Sequence, residues 1–249
     1  MAAGDLKNGV IGLTAEALRP ALHDTSSLSP IGSWARTKAS PLTEAIASND
    51  VAVIGVNNAY WRPSPVPSGE WQDTNGEMGL TYAGANIADY NLQGAMSYCC
   101  LAQLNIEDGS FHTLAMNRTG AGNVNWSFYF ADDGAQPRLY YFHEQGAGTN
   151  EEGYSDSFLQ QDTPYWLGFT RNAGATSVQF YVDGEAFGTA ITGLTAPDGA
   201  KSQTLWFNQN SAGSSRIKGQ QMSIQIFDAE LSAAQMRSKY QEMLPVSQR

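Results

Sequence analysis

The most constraining feature of this 249-residue sequence is an alternation of apolar and polar side chains that recurs in short runs. Val178, Phe180 and Val182 occupy every second position of one run, and Asp183-Gly184 follows it directly. A period of two places the apolar side chains on one face of a β-strand, and Asp-Gly is a strong signal for a two-residue hairpin. This run therefore predicts a half-buried strand that turns back on itself.

The same alternation appears in several other segments. Strands are predicted at Met96 to Leu104, Trp126 to Phe130, Arg138 to Phe142, Tyr165 to Thr170, Leu205 to Phe207 and Met222 to Ile226. Turn signals such as Asp133-Gly134 and Asn172-Ala173-Gly174 separate several of these runs. Short strands at such regular spacing predict an all-β fold, a two-sheet antiparallel sandwich.

A segment near the C-terminus has a helical pattern instead. Ser232 and Gln235 have the spacing of a capping box, in which two side chains satisfy free amides at the start of a helix. Apolar residues then recur on one helical face, at Met236, Tyr240, Met243 and Leu244, and Pro245 ends the pattern. A short amphipathic C-terminal helix that packs on the sandwich is predicted.

The sequence pattern divides the chain into three parts. Residues 1–62 contain a short helical pattern, a Trp/Arg/Lys segment and an apolar run, and they are predicted to form a small extended and helical docking segment. Residues 63–80 begin with three prolines at every second position, which is typical of a linker. Residues 81–249 contain the alternating strands and are predicted to form the sandwich domain.

The low and acidic charge of the chain restricts its partners. Only 15% of the residues are charged, and the formal net charge is −10. Nucleic acids and anionic membrane surfaces are bound by clustered basic residues, so neither partner is expected. The sequence has no apolar run of the roughly 20 residues that cross a bilayer and no apolar signal core at its N-terminus. The adjacent Cys99 and Cys100 are expected to be reduced thiols, as in a protein synthesised in a reducing cytoplasm.

Two longer segments carry a family resemblance. Residues 165–187 read YWLGFTRNAGATSVQFYVDGEAF, and residues 218–240 read KGQQMSIQIFDAELSAAQMRSKY. The first resembles the Tyr-Val-Asp-Gly segment of concanavalin A-like and laminin-G-like jelly rolls, and the second is similar to their closing strand and helix. In the second segment the matching residues are Gly219, Ile224, Ile226, Leu231, Ser232 and Tyr240. The resemblance covers about residues 81–244 and implies a jelly roll that binds glycans or proteins, although some members are glycosidases.

The N-terminal part has a resemblance of its own. Residues 13–42 resemble a segment of phage virion proteins with the pattern Ile-x-x-Trp-[Ala/Ser]-[Lys/Arg]-x-Lys-Pro. The chain departs from it at Thr37, where an aromatic residue is common, and by having Pro41 three residues after Lys38. The resemblance implies attachment of a following module to the virion, with docking by Trp34, Arg36 and Lys38. The alternative is local packing of the tryptophan beside solvated charges.

Aromatic and amide side chains in the second half of the chain supply a candidate glycan site. Sugars stack their apolar faces on aromatic rings, and carboxamides bond to their hydroxyl groups. The candidate ligand-binding residues are Tyr154, Trp206, Asn208 and Asn210, from a wider set that includes Trp61 and Trp71. The alternative assigns the aromatic residues to core or subunit packing and the asparagines to turns.

No cofactor, resident metal or catalytic site is predicted. Calcium is the alternative, because carboxylates supply the hard oxygen ligands that this ion prefers. The carboxylates considered for it are Asp132, Asp133, Asp156, Asp162 and Asp183, which do not have EF-hand spacing. The sequence also has no Gly-x-Ser-x-Gly elbow, no P-loop and no Glu-x-Asp-x-x-Glu strand signature of jelly-roll glycosidases. We therefore expect a protein that is not an enzyme.

These observations lead to one hypothesis and two alternatives. The chain is predicted to be a structural protein of a bacteriophage virion, a tail or head appendage whose jelly roll binds a host-surface glycan or neighbouring virion subunits. It is expected to form a homo-oligomer, for which a trimer would be suitable. The first alternative is a free-standing lectin-like protein or glycoside hydrolase. The second is an architectural decoration protein without a ligand.

Overall fold

The computed structural model describes residues 32–34, 52–55, 60–63, 70–73, 78–82, 87–104, 111–118, 124–132, 137–146, 149–161, 163–197, 204–207 and 219–243. The strands in these ranges are β1 (Gly32–Trp34), β2 (Ala52–Gly55), β3 (Tyr60–Pro63), β4 (Glu70–Asp73), β5 (Met78–Tyr82), β6 (Met96–Leu104), β7 (Phe111–Arg118), β8 (Val124–Asp132), β9 (Pro137–Gly146), β10 (Thr149–Tyr154), β11 (Pro164–Arg171), β12 (Ser177–Val182), β13 (Glu185–Ala186), β14 (Ile191–Thr192), β15 (Leu205–Phe207) and β16 (Gly219–Phe227). A 3₁₀ helix spans Ile87–Tyr90, and α1 spans Ala233–Met243.

The strands form two antiparallel sheets. The nine-stranded sheet has the order β13-β12-β11-β6-β16-β4-β3, with β1 also paired to β16 and β14 paired to β12. The seven-stranded sheet has the order β10-β9-β8-β7-β15-β5-β2. The predicted all-β, two-sheet sandwich with one short C-terminal helix is confirmed.

The core between the sheets consists of the side chains that alternate along the strands. Trp126, Phe128 and Phe130 of β8 are fully buried, as are Phe169 and Phe180 of the opposite sheet. The ring of Phe128 lies 5.2 Å from that of Phe169 and 6.1 Å from that of Phe180. Burial of each such side chain stabilises the fold by about 1.5–3 kcal/mol, so this aromatic layer is a main source of sheet-to-sheet adhesion.

The hairpin predicted from Asp183-Gly184 is confirmed. Both residues have positive φ, 49° for Asp183 and 80° for Gly184, as in the type I′ turns that match the twist of two-residue hairpins. The Asp183 carboxylate accepts a hydrogen bond from the Trp166 amide at 2.9 Å. A Cβ at Gly184 would lie 3.0 Å from the Arg237 Cα, so the turn packs closely on the C-terminal helix.

The C-terminal helix begins with the predicted capping box. The Ser232 amide donates to the Gln235 side chain at 2.7 Å, and the Gln235 amide donates to the Ser232 hydroxyl at 3.3 Å. The helix covers part of the outer face of the nine-stranded sheet. The buried side chains of this second cluster are Cys99, Leu101, Trp166, Tyr181, Phe227, Leu231 and Met236, with Tyr240 packed against them.

Arg171 of β11 ties the two sheets together at one end of the core. Its fully buried guanidinium donates to the Tyr141 hydroxyl at 2.7 Å and to the carbonyls of Gly94 at 2.8 Å and Leu92 at 3.0 Å. The Tyr141 oxygen lies 3.1 Å from Nδ1 of His143. Because these partners bond a buried cation, they fix the position of β9 relative to β11.

Residues before 83 contribute strands to both sheets. β1 pairs with β16 and β4 pairs with β16, whereas β5 pairs with β15 and β2 pairs with β5. Segments 1–62 and 63–80, predicted as a docking segment and a linker, thus supply strands that pair with the sandwich. The division of the chain at residues 62 and 80 stays a prediction.

The two cysteines lie on opposite faces of β6, as expected for adjacent strand residues. Cys100 is in the core between the sheets, and Cys99 is in the cluster beneath the helix. Both are buried, and no disulfide joins them. Burial, with a smaller contribution from Cys100, raises the pKa of the Cys99 thiol well above its usual value.

Candidate binding face

A ladder of three tyrosines crosses the outer face of the seven-stranded sheet. Tyr154 of β10 pairs in register with Tyr140 of β9, and Tyr140 pairs with Tyr129 of β8. The neighbouring Leu139 and Tyr141 are part of the core. Because successive strand residues point to opposite faces, the three tyrosines of the ladder lie on the face that is turned away from the core.

Phe111 extends this ladder from β7. Its register partner on β8 is Ala131, whose small side chain leaves space for the ring to reach β9. The Phe111 ring lies 5.1 Å from the Tyr140 ring and 6.1 Å from the Tyr129 ring, both edge to face. Such ring contacts contribute about 0.5–1.5 kcal/mol each, so the rings are held in a defined arrangement.

Arg138 lies between two aromatic rings beside the ladder. Its guanidinium carbon is 5.1 Å from the centre of the Tyr154 ring and 4.2 Å from that of Phe158. Phe158 is held there because the chain after β10 continues beside β9, where the Leu159 amide donates to the Pro137 carbonyl at 2.8 Å. The aromatic patch is the name used below for Phe111, Tyr129, Tyr140, Tyr154 and Phe158.

One exposed carboxylate contacts the aromatic patch, and a second one follows β10. The Tyr140 hydroxyl donates a hydrogen bond to the exposed Glu152 carboxylate. Burial and this bond to Glu152 raise the pKa of Tyr140, so the hydroxyl remains protonated at physiological pH. The exposed Asp156 carboxylate accepts the Thr189 amide at 3.1 Å, and hydrogen bonds from Thr189 lower the pKa of Asp156. The patch therefore combines apolar ring faces with one charged hydrogen-bond acceptor, the Glu152 carboxylate.

The exposed large hydrophobic side chains of the described residues all belong to the aromatic patch. The exposed fraction is 49% for Phe111, 57% for Tyr154 and 42% for Phe158. Single exposed apolar residues are common, but a contiguous group rimmed by polar side chains is typical of a binding surface. The patch is therefore the candidate functional site of this fold.

Two of the predicted ligand-binding residues lie on this outer face. Tyr154 is a member of the aromatic patch. Trp206 alternates with buried residues of β15 and is four strands from Tyr154 in the sheet order, a separation of about 19 Å. Met116 and Ser127, which lie in register between Trp206 and β9, are buried. The Trp206 indole donates to the Arg118 carbonyl at 2.7 Å. The structure thus does not bring Trp206 into the patch.

The other predicted contact residues are only partly described. Asn208, Asn210, Arg36 and Lys38 lie outside the described residues. Trp34 is the last residue of β1, where it pairs with Ile224 of β16. Trp61 and Trp71 are on β3 and β4 of the nine-stranded sheet, not on the sheet that carries the patch. The docking role of Trp34, Arg36 and Lys38 stays a prediction.

The described carboxylates among those considered for calcium do not form a cluster. Asp156 and Asp183 each accept a backbone amide hydrogen bond, and Asp132 ends β8. Asp133 and Asp162 lie outside the described residues. Within the part of the chain that the structure describes, there is no group of three or more His, Cys, Asp or Glu side chains that could hold a metal ion. In that same part, no helix is long and apolar enough to span a membrane.

Sequence reasoning missed most of the aromatic patch. Phe111, Arg138 and Phe158 were not among the candidate residues, and the run from Arg138 to Phe142 was interpreted only as a strand. A usable signal is present in that run, because it is apolar or aromatic at successive positions from Leu139 to Phe142. Only one face of such a strand can lie in the core, so the apolar side chains on the other face are either covered by another element or exposed to solvent.

Comparison with solved structures places this geometry among known β-sandwiches. Domain 4 of AbnA, a GH43 extracellular arabinanase from Geobacillus stearothermophilus solved with arabinotriose, has a TM-score of 0.63 at 12% identity, covering 85% of this chain and 98% of that one. The receptor-binding domain of botulinum neurotoxin C/D mosaic serotype has a TM-score of 0.62 at 12% identity, covering 86% of this chain and 51% of that one. The chain thus spans about half the length of that toxin domain. These similarities show the fold alone.

The sequence comparisons give one family and no individual relative. A search of the curated protein sequences gives no match. The family model described as the concanavalin A-like lectin/glucanases superfamily matches residues 75–237, which is more than half of the chain. The match includes every strand that contributes to the aromatic patch, and it extends into the C-terminal helix. The two-sheet sandwich, its closing helix and this match together show that the chain belongs to the concanavalin A-like lectin/glucanases superfamily.

Proposed function

We propose that this domain binds a glycan through the aromatic patch and performs no chemistry on it. The observation that carries the proposal is that the exposed large hydrophobic side chains of the described residues are gathered on one sheet face beside Arg138 and Glu152. Sugar rings have apolar CH faces that stack on aromatic rings, and their hydroxyl groups bond to carboxylates and guanidinium groups. The patch offers both kinds of contact on a preformed surface.

The comparisons are consistent with glycan binding, although they concern other proteins. The superfamily description names lectins, and the domain from the arabinanase was solved with a bound arabinotriose. Those properties belong to the named proteins. For the present chain, the support comes from the rigid mutual arrangement of the rings, since a preorganised surface loses little conformational entropy when a ligand binds.

The absence of catalysis is also a proposal. Glycosidases use two carboxyl groups about 5–10 Å apart, one of which must reach the leaving group or a water molecule. Glu144 and Glu152 lie on neighbouring strands on the same outer face, since Glu152 pairs with Phe142. Glu144, however, is buried and accepts the Val124 amide at 3.0 Å. Glu152 accepts a hydrogen bond from the Tyr140 hydroxyl. Both carboxylates already serve the fold, which favours binding over hydrolysis.

The context proposed for this binding is a bacteriophage virion. The support is the resemblance of residues 13–42 to an attachment segment, with Trp34, Arg36 and Lys38 as the docking residues. A homo-oligomer on a particle would present several copies of the patch together, which raises avidity for a host-surface glycan about 10²–10⁴-fold over one site. Neighbouring virion subunits are the alternative partner of the same face.

A glycan array tests the binding function. We expect the full chain to bind a restricted set of glycans. The double variant Phe111→Ala/Tyr154→Ala should bind them at least about tenfold more weakly, because exposed aromatic anchors dominate such surfaces. The matched control is Tyr240→Ala, which removes a ring from the opposite side of the sandwich. Equal binding by the double variant and the native chain would exclude the patch as the site.

Two further measurements separate the alternatives. The native chain is assayed for release of reducing ends from a bound polysaccharide. If it releases them and Glu152→Gln does not, the protein is a glycoside hydrolase and not a binding protein. Mass spectrometry of gradient-purified particles from a lysate that contains this protein should detect it in stoichiometric amounts. The variant Arg36→Glu/Lys38→Glu should remain in the soluble fraction. Recovery of the native chain only in the soluble fraction would favour a free-standing lectin.

A further inference from the structure

We infer that the aromatic patch binds an extended, uncharged glycan along its length, across strands β7 to β10, and engages about three consecutive sugar units. This inference rests on the proposed function and adds the substrate class. It is carried by the spacing of the rings, by which of them are exposed and by the negative net charge of the chain.

The spacing of the rings indicates a ligand longer than one sugar. The ring centres of Phe111 and Tyr140 are 5.1 Å apart, and Tyr154 is the register partner of Tyr140, with Cβ atoms roughly 5 Å apart. The three rings therefore follow one another obliquely across the strands, with Phe111 two residues out of the register row of Tyr140 and Tyr154. A pyranose or furanose ring is about as wide as a tyrosine ring. A monosaccharide can cover one of them, whereas a trisaccharide can cover all three.

The exposure of the rings points in the same direction. Phe111 at one end is 49% exposed and Tyr154 at the other end is 57% exposed, whereas Tyr140 between them is half-buried. The two end rings are thus more exposed than the central one. This arrangement fits a glycan chain whose outer units stack on the end rings and whose middle unit lies over the Tyr140 hydroxyl and Glu152. A ligand recognised only by its terminal sugar would leave one exposed anchor unused.

The negative charge of the chain disfavours an acidic glycan. At the patch itself, Glu152 is exposed, Arg138 is flanked by two aromatic rings, and the Arg118 cation acts electrostatically on Tyr129. These local charges are few and mixed, whereas the whole chain carries a formal charge of −10. The field of the whole chain would repel a uronate or sulfated chain during approach. A neutral chain escapes this repulsion and can donate a hydroxyl hydrogen bond to the Glu152 carboxylate.

The first stage of the test is affinity electrophoresis of the full chain. The gels contain either neutral polysaccharides (arabinan, mixed-linkage β-glucan, galactan) or acidic ones (polygalacturonate, alginate). We expect at least one neutral polysaccharide to retard the protein and neither acidic one to do so. Retardation by an acidic polysaccharide alone would overturn the inference while leaving glycan binding intact. No retardation by either class would overturn the proposed function and the inference with it.

The second stage is calorimetry with a size series, from monosaccharide to hexasaccharide, cut from the polysaccharide that retards the protein. Each added aromatic contact should raise affinity about fivefold, so the trisaccharide should bind at least about tenfold more tightly than the monosaccharide. Longer chains should then differ from the trisaccharide by less than about twofold, because Phe111 and Tyr154 are the two ends of the row of rings along which the chain lies. A monosaccharide that binds as tightly as the trisaccharide would overturn the inference.

Single variants locate the two ends of the bound chain. Phe111→Ala and Tyr154→Ala should each weaken trisaccharide binding about fivefold. A monosaccharide should respond to at most one of them. The control Tyr240→Ala should change neither affinity. A trisaccharide that responds to only one of the two end variants would contradict binding across the whole patch.

Discussion

The outer faces of the two sheets both carry large aromatic side chains, but these are buried on one face and exposed on the other. On the nine-stranded sheet, Trp166, Tyr181 and Phe227 are buried together with residues of the C-terminal segment. On the seven-stranded sheet, Phe111 and Tyr154 are large rings with about half of their surface exposed. The first face is closed by the fold itself, and the second remains open along β9 and β10.

This difference separates rings that stabilise the fold from rings that are available to a partner. A ring beneath α1 contributes its full burial to folding, since unfolding returns it to water. An exposed ring contributes little, and its presence on the surface favours aggregation unless a ligand uses it. The asymmetry therefore predicts that substitutions on the first face change stability and that substitutions on the second change binding.

The largest expected effect is on the covered face. Trp166→Ala should lower the free energy of unfolding by about 3–5 kcal/mol, because it removes a side chain that is 2% exposed and leaves a cavity under the helix. Urea denaturation followed by circular dichroism measures the change. Trp166→Phe is the matched control and should cost clearly less. A loss below about 1 kcal/mol for the alanine variant would mean that α1 does not close this face.

Features that depend on neighbouring residues could be predicted from the sequence. The Asp183-Gly184 turn needs two positive φ angles in a row, and the capping box joins Ser232 to Gln235 across three residues. The alternation of Trp126, Phe128 and Phe130 likewise indicates the buried face of β8 directly. Each of these signals is local, so no knowledge of strand pairing is required.

The aromatic patch could not be predicted because it is created by register. Phe111 and Tyr140 meet diagonally across β8, because Phe111 pairs with the small Ala131 while Tyr140 pairs with Tyr129 two residues away. Tyr140 and Tyr141 are also equivalent in the sequence pattern. Tyr141 is the buried one of the two, where its hydroxyl accepts a hydrogen bond from the buried Arg171, and Tyr140 faces outward. Only Tyr154 was identified in advance.

The stability of the domain should also depend on pH, through His143 on the core side of β9. Burial, opposed by a hydrogen bond to Thr195, lowers the pKa of His143, and the Arg171 cation acts in the same direction as burial. The native state therefore disfavours the protonated ring, whereas the unfolded chain protonates it near pH 6.5. The free energy of unfolding should fall as the pH drops from above 6.5 towards the lowered native pKa.

The measurement for this acid effect is urea unfolding at pH 7.5 and at pH 5. The native chain should lose more stability between the two pH values than His143→Gln, because glutamine does not titrate. The neighbouring charged groups, Arg171 and Glu151, are present in both proteins, so their effects cancel in the difference. Equal losses in the two proteins would show that His143 is not held neutral in the core.

A smaller effect is expected at the start of the helix that covers the nine-stranded sheet. Ser232→Ala removes the hydroxyl that accepts the Gln235 amide and should lower the free energy of unfolding by about 1 kcal/mol. Ser238→Ala, within the same helix, is the matched control and should change it by less than about 0.5 kcal/mol. Thermal unfolding of the three proteins measures both changes. Similar values for the two variants would mean that the capping box does not stabilise α1 on the sheet.

The smallest change in stability is expected on the exposed face of the seven-stranded sheet. It tests whether the exposed rings are part of the fold. Tyr154→Ala should change the free energy of unfolding by no more than about 0.5–1 kcal/mol, because the ring is 57% exposed and its contact with Arg138 is a cation–π interaction at the surface. Tyr240→Ala, which removes a ring packed on Trp166, should cost more. Urea denaturation of both variants under one set of conditions gives the ranking. If Tyr154→Ala were the more destabilising of the two, the ring would be part of the fold, and its exposure would no longer argue for a ligand.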